Sequence, residues 1–389
     1  MSADVQSLTF GRERLADFAL QQGTVHVNHG SFGAVPNVVA EAQAEWCRVL
    51  EANPSRFFRT RYEHLIREAA EDVAALLGGA GSDWVFVDNA TAAASIVLAS
   101  LPLNAGDEIL TTDQTYGAVR NAIRHYVTTR GAVIVEAVLP VPVQSDGDII
   151  DALRQRISER TRAIVIDHVA SHNAVVFPVA GIAELVRPSR VPVLVDGAHA
   201  PGMLDLDVPA LGVDWYFGNG HKWLGAPRGC GVLWCRRDHQ AALRPLVISF
   251  GYDAGFNAAF DWAGTRDPSP WLSITAAIDY HQQCGGAVLR QRNHELAVAA
   301  GKQLAAVLET ELSAPPDLFG SMTTVRLPSE RAASFEDMAQ LQIELEERFD
   351  VEASLVPLHG RVWLRTSAAI YNEPDDFLIA GRAAAALLE

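Results

Sequence analysis

Cysteine is scarce in this chain, with four in 389 residues at Cys47, Cys230, Cys235 and Cys284. They are too few and too scattered for a disulfide framework. Cys230 and Cys235, around the apolar run GCGVLWC, read as core thiols. Basic residues are also in deficit: 31 Lys and Arg stand against 47 Asp and Glu, a formal net charge of -16. The surplus acid is dispersed, which opposes binding to nucleic acid or to an anionic membrane surface. No segment approaches the roughly 18 apolar residues needed to span a bilayer. The N-terminal MSADVQSLTFGRERLADF lacks the apolar stretch of a signal peptide. A cytoplasmic, reducing location is therefore expected, and no metal ligand set. No G-x-G-x-x-G follows the first clear strand, so the dinucleotide-binding fingerprint is missing.

What is present is an alternation of two textures. Short apolar runs rich in β-branched residues predict strands at Trp84–Asp88, Ile109–Thr112, Val133–Val138, Ala163–Asp167, Val193–Asp196, Trp215–Gly218 and Gly231–Cys235. Between them lie helical spacings. In Tyr62–Leu77, Leu65, Ala69, Val73 and Leu76 fall on one face, and in Gly117–Thr129 so do Val119, Ile123, Tyr126 and Val127. Strands alternating with helices imply a mostly parallel sheet covered on both faces. Ligands of such sheets collect at the carboxyl ends of the strands. The length exceeds what one core usually serves, and three parts are expected. Residues 1–35, with the loop VNHGSFGAVP, form an N-terminal segment lining the active site. Residues 36–275 form a large α/β domain whose first helix is opened by Pro36 and Asn37. Residues 276–389 form a smaller α+β domain, with helices over Ala287–Glu311 and Ser334–Arg348 flanking strands at Met322–Leu327 and Arg361–Thr366.

The sharpest segments are VLVDGAHAPG and DWYFGNGHKWLGAPRGCGVLW. Asp196 ends an apolar strand, where a carboxylate is poorly solvated unless paired. A protonated pyridine makes that burial tolerable, and the pair keeps the ring able to withdraw electrons. Lys222 follows another strand and a Gly-rich turn, which places an amine at the same sheet edge. A nearby cationic ring lowers its pKa, as a Schiff-base lysine needs. An amine, an anion for a ring nitrogen and a phosphate cradle are what pyridoxal 5'-phosphate (PLP) requires. Asn89, Ala90 and Thr91 open a helix directly after a strand, and a helix N-terminus is a ready anion site.

These segments, with VNHGSFG, DNAT, DHVASH, WAGTRDPSPWL and RVWLRTSAAIYN, resemble the class V aminotransferase family of fold type I PLP enzymes, in its isopenicillin N epimerase-like branch. The resemblance spans nearly the whole chain. It implies that Lys222 holds the cofactor and shuttles the substrate Cα proton, with Asp196 on the pyridine nitrogen. It places His199 near the ring's phenolic oxygen and Tyr116 over the ring face, where an aromatic suits offset stacking. His221 joins Asn89, Ala90 and Thr91 at the phosphate. Gly264 and Thr265 match a pair that reaches the phosphate of a neighbouring protomer, which implies a homodimer with shared sites. Arg365 matches the Arg that grips a substrate carboxylate. Asn28, His29 and Arg56 are weaker substrate contacts.

The reaction is not fixed by the fold. A cysteine desulfurase needs a thiol shortly before the carboxylate-binding Arg, and no cysteine follows Cys284. Where relatives continue with small or Pro-Thr-like residues after the strand ending at Asp167, this chain reads His168–Asn173. That brings His168, Ser171 and His172 to the active-site edge, the first two beside the cofactor. His172 is a candidate second acid/base or a substrate-binding group. The leading expectation is an epimerase or racemase working at the Cα of a small amino acid. The alternatives are a C–S β-lyase on a cysteine conjugate, then an aminotransferase or decarboxylating oxidative deaminase, and last an inactive PLP-fold protein.

Overall fold

The protein is seen here as a computed structural model that describes residues 8–329 and 334–388. Its strands are β1 (Val25–His26), β2 (Trp84–Val87), β3 (Glu108–Thr112), β4 (Val133–Ala137), β5 (Thr161–Asp167), β6 (Val193–Asp196), β7 (Trp215–Asn219), β8 (Gly231–Cys235), β9 (Met322–Arg326), β10 (Val351–Glu352), β11 (Ser354–Leu358) and β12 (Arg361–Ser367). All seven strands expected between residues 84 and 235 exist. They form one sheet in the order β2-β8-β7-β6-β5-β3-β4. Pairings from β4 through β3, β5 and β6 to β7 are parallel, and β8 alone runs against its neighbours β7 and β2.

Alternate residues of each strand feed separate cores, as a pleat with both faces covered requires. Leu110, Ile164, Ile166, Val193 and Val195 pack on the side of the helix Tyr62–Leu77. Ile109, Ala163, Val165, Leu194 and Phe217 pack on the side of the helices Ala90–Ser100 and Gly117–Thr128. Each fully buried Val, Ile or Leu side chain contributes about 1.5–3 kcal/mol. The buried face of Tyr62–Leu77 includes the expected Ala69 and Val73 but is centred away from Leu65 and Leu76. Ile66, Ala70, Val73 and Leu77 point inward, while Leu65 and Leu76 sit at the flank. Apolar residues at both flanks of the stripe left its centre ambiguous.

The C-terminal unit is a three-stranded antiparallel sheet, β11-β12-β9, covered by the helices Ala287–Val307, Phe335–Phe349 and Pro374–Leu388. Ser334 caps the second of these through a reciprocal pair with Asp337. Strand β11 and the last helix lie beyond the expected elements. The N-terminal segment is stitched to this unit, because β1 pairs with β10 (Val25 opposite Val351) and Ser367 donates its N–H to the Val27 carbonyl. The stretch expected as a loop then forms a single helical turn, His29–Phe32, at the mouth of the large sheet. Gly33 closes that turn at φ +68°, and a Cβ there would collide with the His221 carbonyl. That close approach sets the turn directly against the Gly220–Lys222 segment.

Candidate active site

Asp196 closes β6 at 4% exposure, and its Oδ1 accepts the Ala198 N–H at 2.9 Å. Burial pushes its carboxyl up to about 6, against the pull of that N–H and of Lys222. Gly197 follows because a Cβ there would enter the Tyr216 ring. On the adjacent strand, β7 ends at Asn219, whose Oδ1 accepts the Ala90 N–H at 2.9 Å. This bond ties the Lys222 turn to the start of the helix Ala90–Ser100. Lys222 Nζ lies 3.2 Å from His199 Nε2. Trp223 Nε1 donates to His199 Nδ1 at 3.5 Å, which assigns the imidazole proton to Nε2, facing the lysine's lone pair. His199 is held well below its usual range by burial first, then by Lys222 and Arg365. Burial and then Arg365 push Lys222 down to about 7, while Asp196 pulls the other way. Near neutral pH a substantial fraction of this amine is therefore uncharged, the state in which it can act as a nucleophile or base.

Arg365 comes from β12, so the smaller unit completes the site. Its Nη1 donates to the Ser171 carbonyl at 2.6 Å and the Ser171 hydroxyl at 3.0 Å. Its Nη2 donates to Ser31 Oγ at 2.8 Å and Asn28 Oδ1 at 3.3 Å. The Nε has no partner. Among the described residues no carboxylate lies within ion-pair distance of this guanidinium, which is 3% exposed and pushed down to about 10 by burial. A buried cation braced only by neutral acceptors is an anion site awaiting its anion.

The helix Ala90–Ser100 is capped by Asn89, whose Oδ1 accepts the Ala92 N–H at 2.9 Å. Two N–H groups of the first turn are thus already satisfied, and Thr91 in the same turn is exposed. Beside this turn, His221 carries a buried Nδ1 with no partner. Burial and Lys222 lower the ring to about 4, so it is neutral. Tyr116 precedes the helix Gly117–Thr128, is 45% exposed and acts electrostatically on Arg365.

Several expected roles do not match their surroundings. His29 faces no substrate space: Nδ1 is 3.0 Å from the Tyr371 hydroxyl and Nε2 3.1 Å from the Lys222 carbonyl, so the ring braces the lysine's backbone. His168 is not at a cofactor edge, since its Nδ1 meets the Tyr216 hydroxyl at 2.8 Å and both groups are buried. Ser171 braces Arg365, accepting from it at both its carbonyl and its hydroxyl. His172 is buried and lowered to about 4, its Nδ1 3.4 Å from the Gln114 carbonyl, so it is a poor proton donor at neutral pH. Arg56 is exposed on the helix Pro54–Thr60, and its bonds are made by its backbone: the N–H donates to Asn53 Oδ1 and the carbonyl accepts from the Thr60 hydroxyl. Gly264, at φ +102° with open space around it, and the exposed Thr265 lie on the surface. Residues that sequence reasoning passed over include Ser31, which stands inside the quoted VNHGSFG, together with Asn219, Trp223 and Tyr371. Their roles are contacts across the fold, which leave no local signal.

The class V aminotransferase model matches residues 32–346, and the chain belongs to that family. It is 33% identical to isopenicillin N epimerase of Amycolatopsis lactamdurans, covering 91% of this chain and 92% of the relative. It is 30% identical to an L-cysteine desulfhydrase of Arabidopsis thaliana, covering 92% and 86%. The fold superposes on a C-DES mutant with glycine covalently linked to its PLP cofactor, at a TM-score of 0.83 and 22% identity over 95% of this chain and 98% of that one. The chain is a PLP-dependent enzyme. Its residues fit the group: a buried amine at about 7, a buried acid at the adjoining strand end, and a helix N-terminus tied to the lysine turn by the Asn219–Ala90 bond.

Proposed function

We propose that the chain is a C–S β-lyase that acts on cysteine or a cysteine conjugate. When bound, PLP supplies a carbonyl that condenses with amines and a ring that withdraws electrons from the bond to be broken. In this reading Lys222 holds the cofactor, Asp196 pairs with its ring nitrogen, His199 lies beside the phenolic oxygen, and Tyr116 covers the ring face. Asn89, Ala90, Thr91 and His221 surround its phosphate. Arg365, positioned by Ser171, Ser31 and Asn28, binds the substrate α-carboxylate through its charge and the Nε–H its neighbours leave free, and so orients the Cα–H bond. Lys222 Nζ then takes the Cα proton and holds it, and His199 keeps that nitrogen in place.

The observation that carries the choice of reaction is the single buried amine at about 7. An epimerase returns a proton to the opposite face of Cα, which calls for a second donor. His172, the candidate for that task, is buried, lowered to about 4 and bonded elsewhere. A lyase needs only that a stable thiolate depart. One observation favours the epimerase: the exposed Tyr116, close to Arg365, is a hydroxyl available as second donor.

The products separate the two. With L-cysteine, elimination followed by hydrolysis consumes one water and gives pyruvate, ammonia and hydrogen sulfide in equal amounts. An epimerase returns the amino acid inverted, with solvent deuterium at Cα. Equimolar pyruvate and sulfide are expected, and inverted amino acid without pyruvate refutes the lyase reading.

We infer further that the enzyme works as a homodimer. In support, Leu246, Val247, Ile248, Phe250 and Tyr252 are all exposed, Phe250 by 94%. Beside them Thr265, Phe58 and Trp262 line a cavity of about 690 Å³. A second copy would cover this face, bringing Gly264 and Thr265 to its partner's phosphate site.

A further inference from the structure

Strand β5 ends on Asp167 and β6 on Asp196, and the two residues are paired in register across a parallel ladder. Registered residues on neighbouring strands send their side chains to the same face, with strands about 4.8 Å apart. Both carboxyls are buried, at 2% and 4% exposure. The backbone N–H groups of Tyr116 and of Asp167 itself lie near enough to favour the charged form of the Asp167 carboxyl, against burial and the charge of Asp196, and its Oδ2 has no partner. The charges around the pair are unevenly shared. Lys222 acts on Asp196, whereas Arg120, the cation that acts on Asp167, is committed to Glu136 at 2.6 Å. Tyr216 and His168, on the opposite face of the sheet, bond to each other and bring no charge.

Two carboxylates this close in a dry environment do not both ionise. Burial and then the charge of Asp196 push Asp167 well above the usual carboxylate range. Asp196 faces Lys222 and, in the holoenzyme, the ring nitrogen assigned to it, so the first proton goes to Asp167.

We propose that Asp167 is a positioning residue of the Asp196 site: it keeps its proton, so that the two acids carry one negative charge between them, and it anchors the turn that bears Tyr116. The inference rests on the reading that Asp196 receives the pyridine nitrogen. Its consequence is that Asp196 remains the charged member of the pair, while the turn that presents Tyr116 stays fixed beside it.

The test compares the holoenzyme with Asp167→Asn, Asp167→Leu and Asp196→Asn. It reads the pH midpoint at which the visible cofactor band changes on the acid side, and the PLP dissociation constant by dialysis. Asp167→Asn is neutral and of the same shape. It is expected to hold the midpoint within about 0.3 pH and the affinity within about threefold. Asp167→Leu leaves Asp196 more desolvated and the Tyr116 turn unanchored. Its midpoint should rise by about one pH unit and its PLP affinity fall about tenfold. A midpoint that drops by about one unit in Asp167→Asn means that a like charge has been removed, and the inference is overturned. An Asp167→Leu enzyme indistinguishable from wild type overturns it as well. If the Leu variant does not fold, the Asn variant alone decides. A spectrum that Asp196→Asn leaves unchanged removes the underlying reading of Asp196; one that responds to Asp196→Asn but not to Asp167→Leu removes only the role of Asp167.

Discussion

Replacing Arg365 by Met separates a side chain kept for binding from one kept for folding. Burial pushes this guanidinium well below its ordinary range, to about 10, which corresponds to about 3 kcal/mol against keeping the charge where it is. Its four bonds go to neutral acceptors on Ser171, Ser31 and Asn28, each worth about 1 kcal/mol net. The two contributions nearly cancel, so the melting temperature of Arg365→Met is expected within about 4 °C of wild type. Function follows a different ledger. Losing one partner of a buried, hydrogen-bonded charge pair costs about 2–5 kcal/mol, so kcat/KM should fall about 30- to 5,000-fold. Calorimetry gives the first quantity, and pyruvate release from L-cysteine across a concentration series gives the second. The cofactor colour should persist, since Arg365 is assigned to the substrate. A variant that melts more than about 10 °C lower, yet keeps wild-type kcat/KM per folded molecule, would show that Arg365 is a structural brace and refute the reasoning.

Two further outcomes follow from the same surroundings. Lys222 titrates at about 7 when folded and near 10.4 when unfolded. The folded apo chain thus binds fewer protons than the unfolded one between those values, and its stability rises with pH through that window. Apo Lys222→Met lacks this linkage, so its advantage in chemical denaturation should be largest below pH 7 and fade by about pH 10; an advantage independent of pH would contradict the assigned burial. Gly33→Ala should lower both stability and cofactor retention together, because its Cβ would strike the His221 carbonyl from a φ of +68°. Wild-type PLP binding in that variant would show that the turn at 29–32 does not brace the lysine segment.

Much of the large sheet was legible because its strands are buried on both faces and read as short apolar runs between Gly and polar residues. Asp196 and Lys222 stood out as candidates only together, because a strand ending in Asp-Gly-Ala-His and a second followed by Gly-His-Lys-Trp is a pattern that packing needs alone do not produce. The small pairing of β1 with β10 was not, since two-residue strands carry no periodicity and their partners lie more than 300 residues apart. His29 and His168 illustrate the limit for sites. Their position in a motif or at a strand end suggested ligand contact, yet their ring nitrogens are engaged by Tyr371, the Lys222 carbonyl and Tyr216. Such partners arrive from distant segments and become visible only when the chain is folded. The rarity of lysine is a local signal that does bear on the site. The chain has two lysines, Lys222 and Lys302, and Lys302 is exposed on the helix Ala287–Val307.

That rarity makes the central claim directly measurable. The holoenzyme can be reduced with borohydride, digested and mapped by mass spectrometry for the phosphopyridoxyl group. The account predicts one adduct, on Lys222, with none formed in Lys222→Ala. An adduct on Lys302, or an unlabelled Lys222 in a protein that still holds PLP, would contradict it.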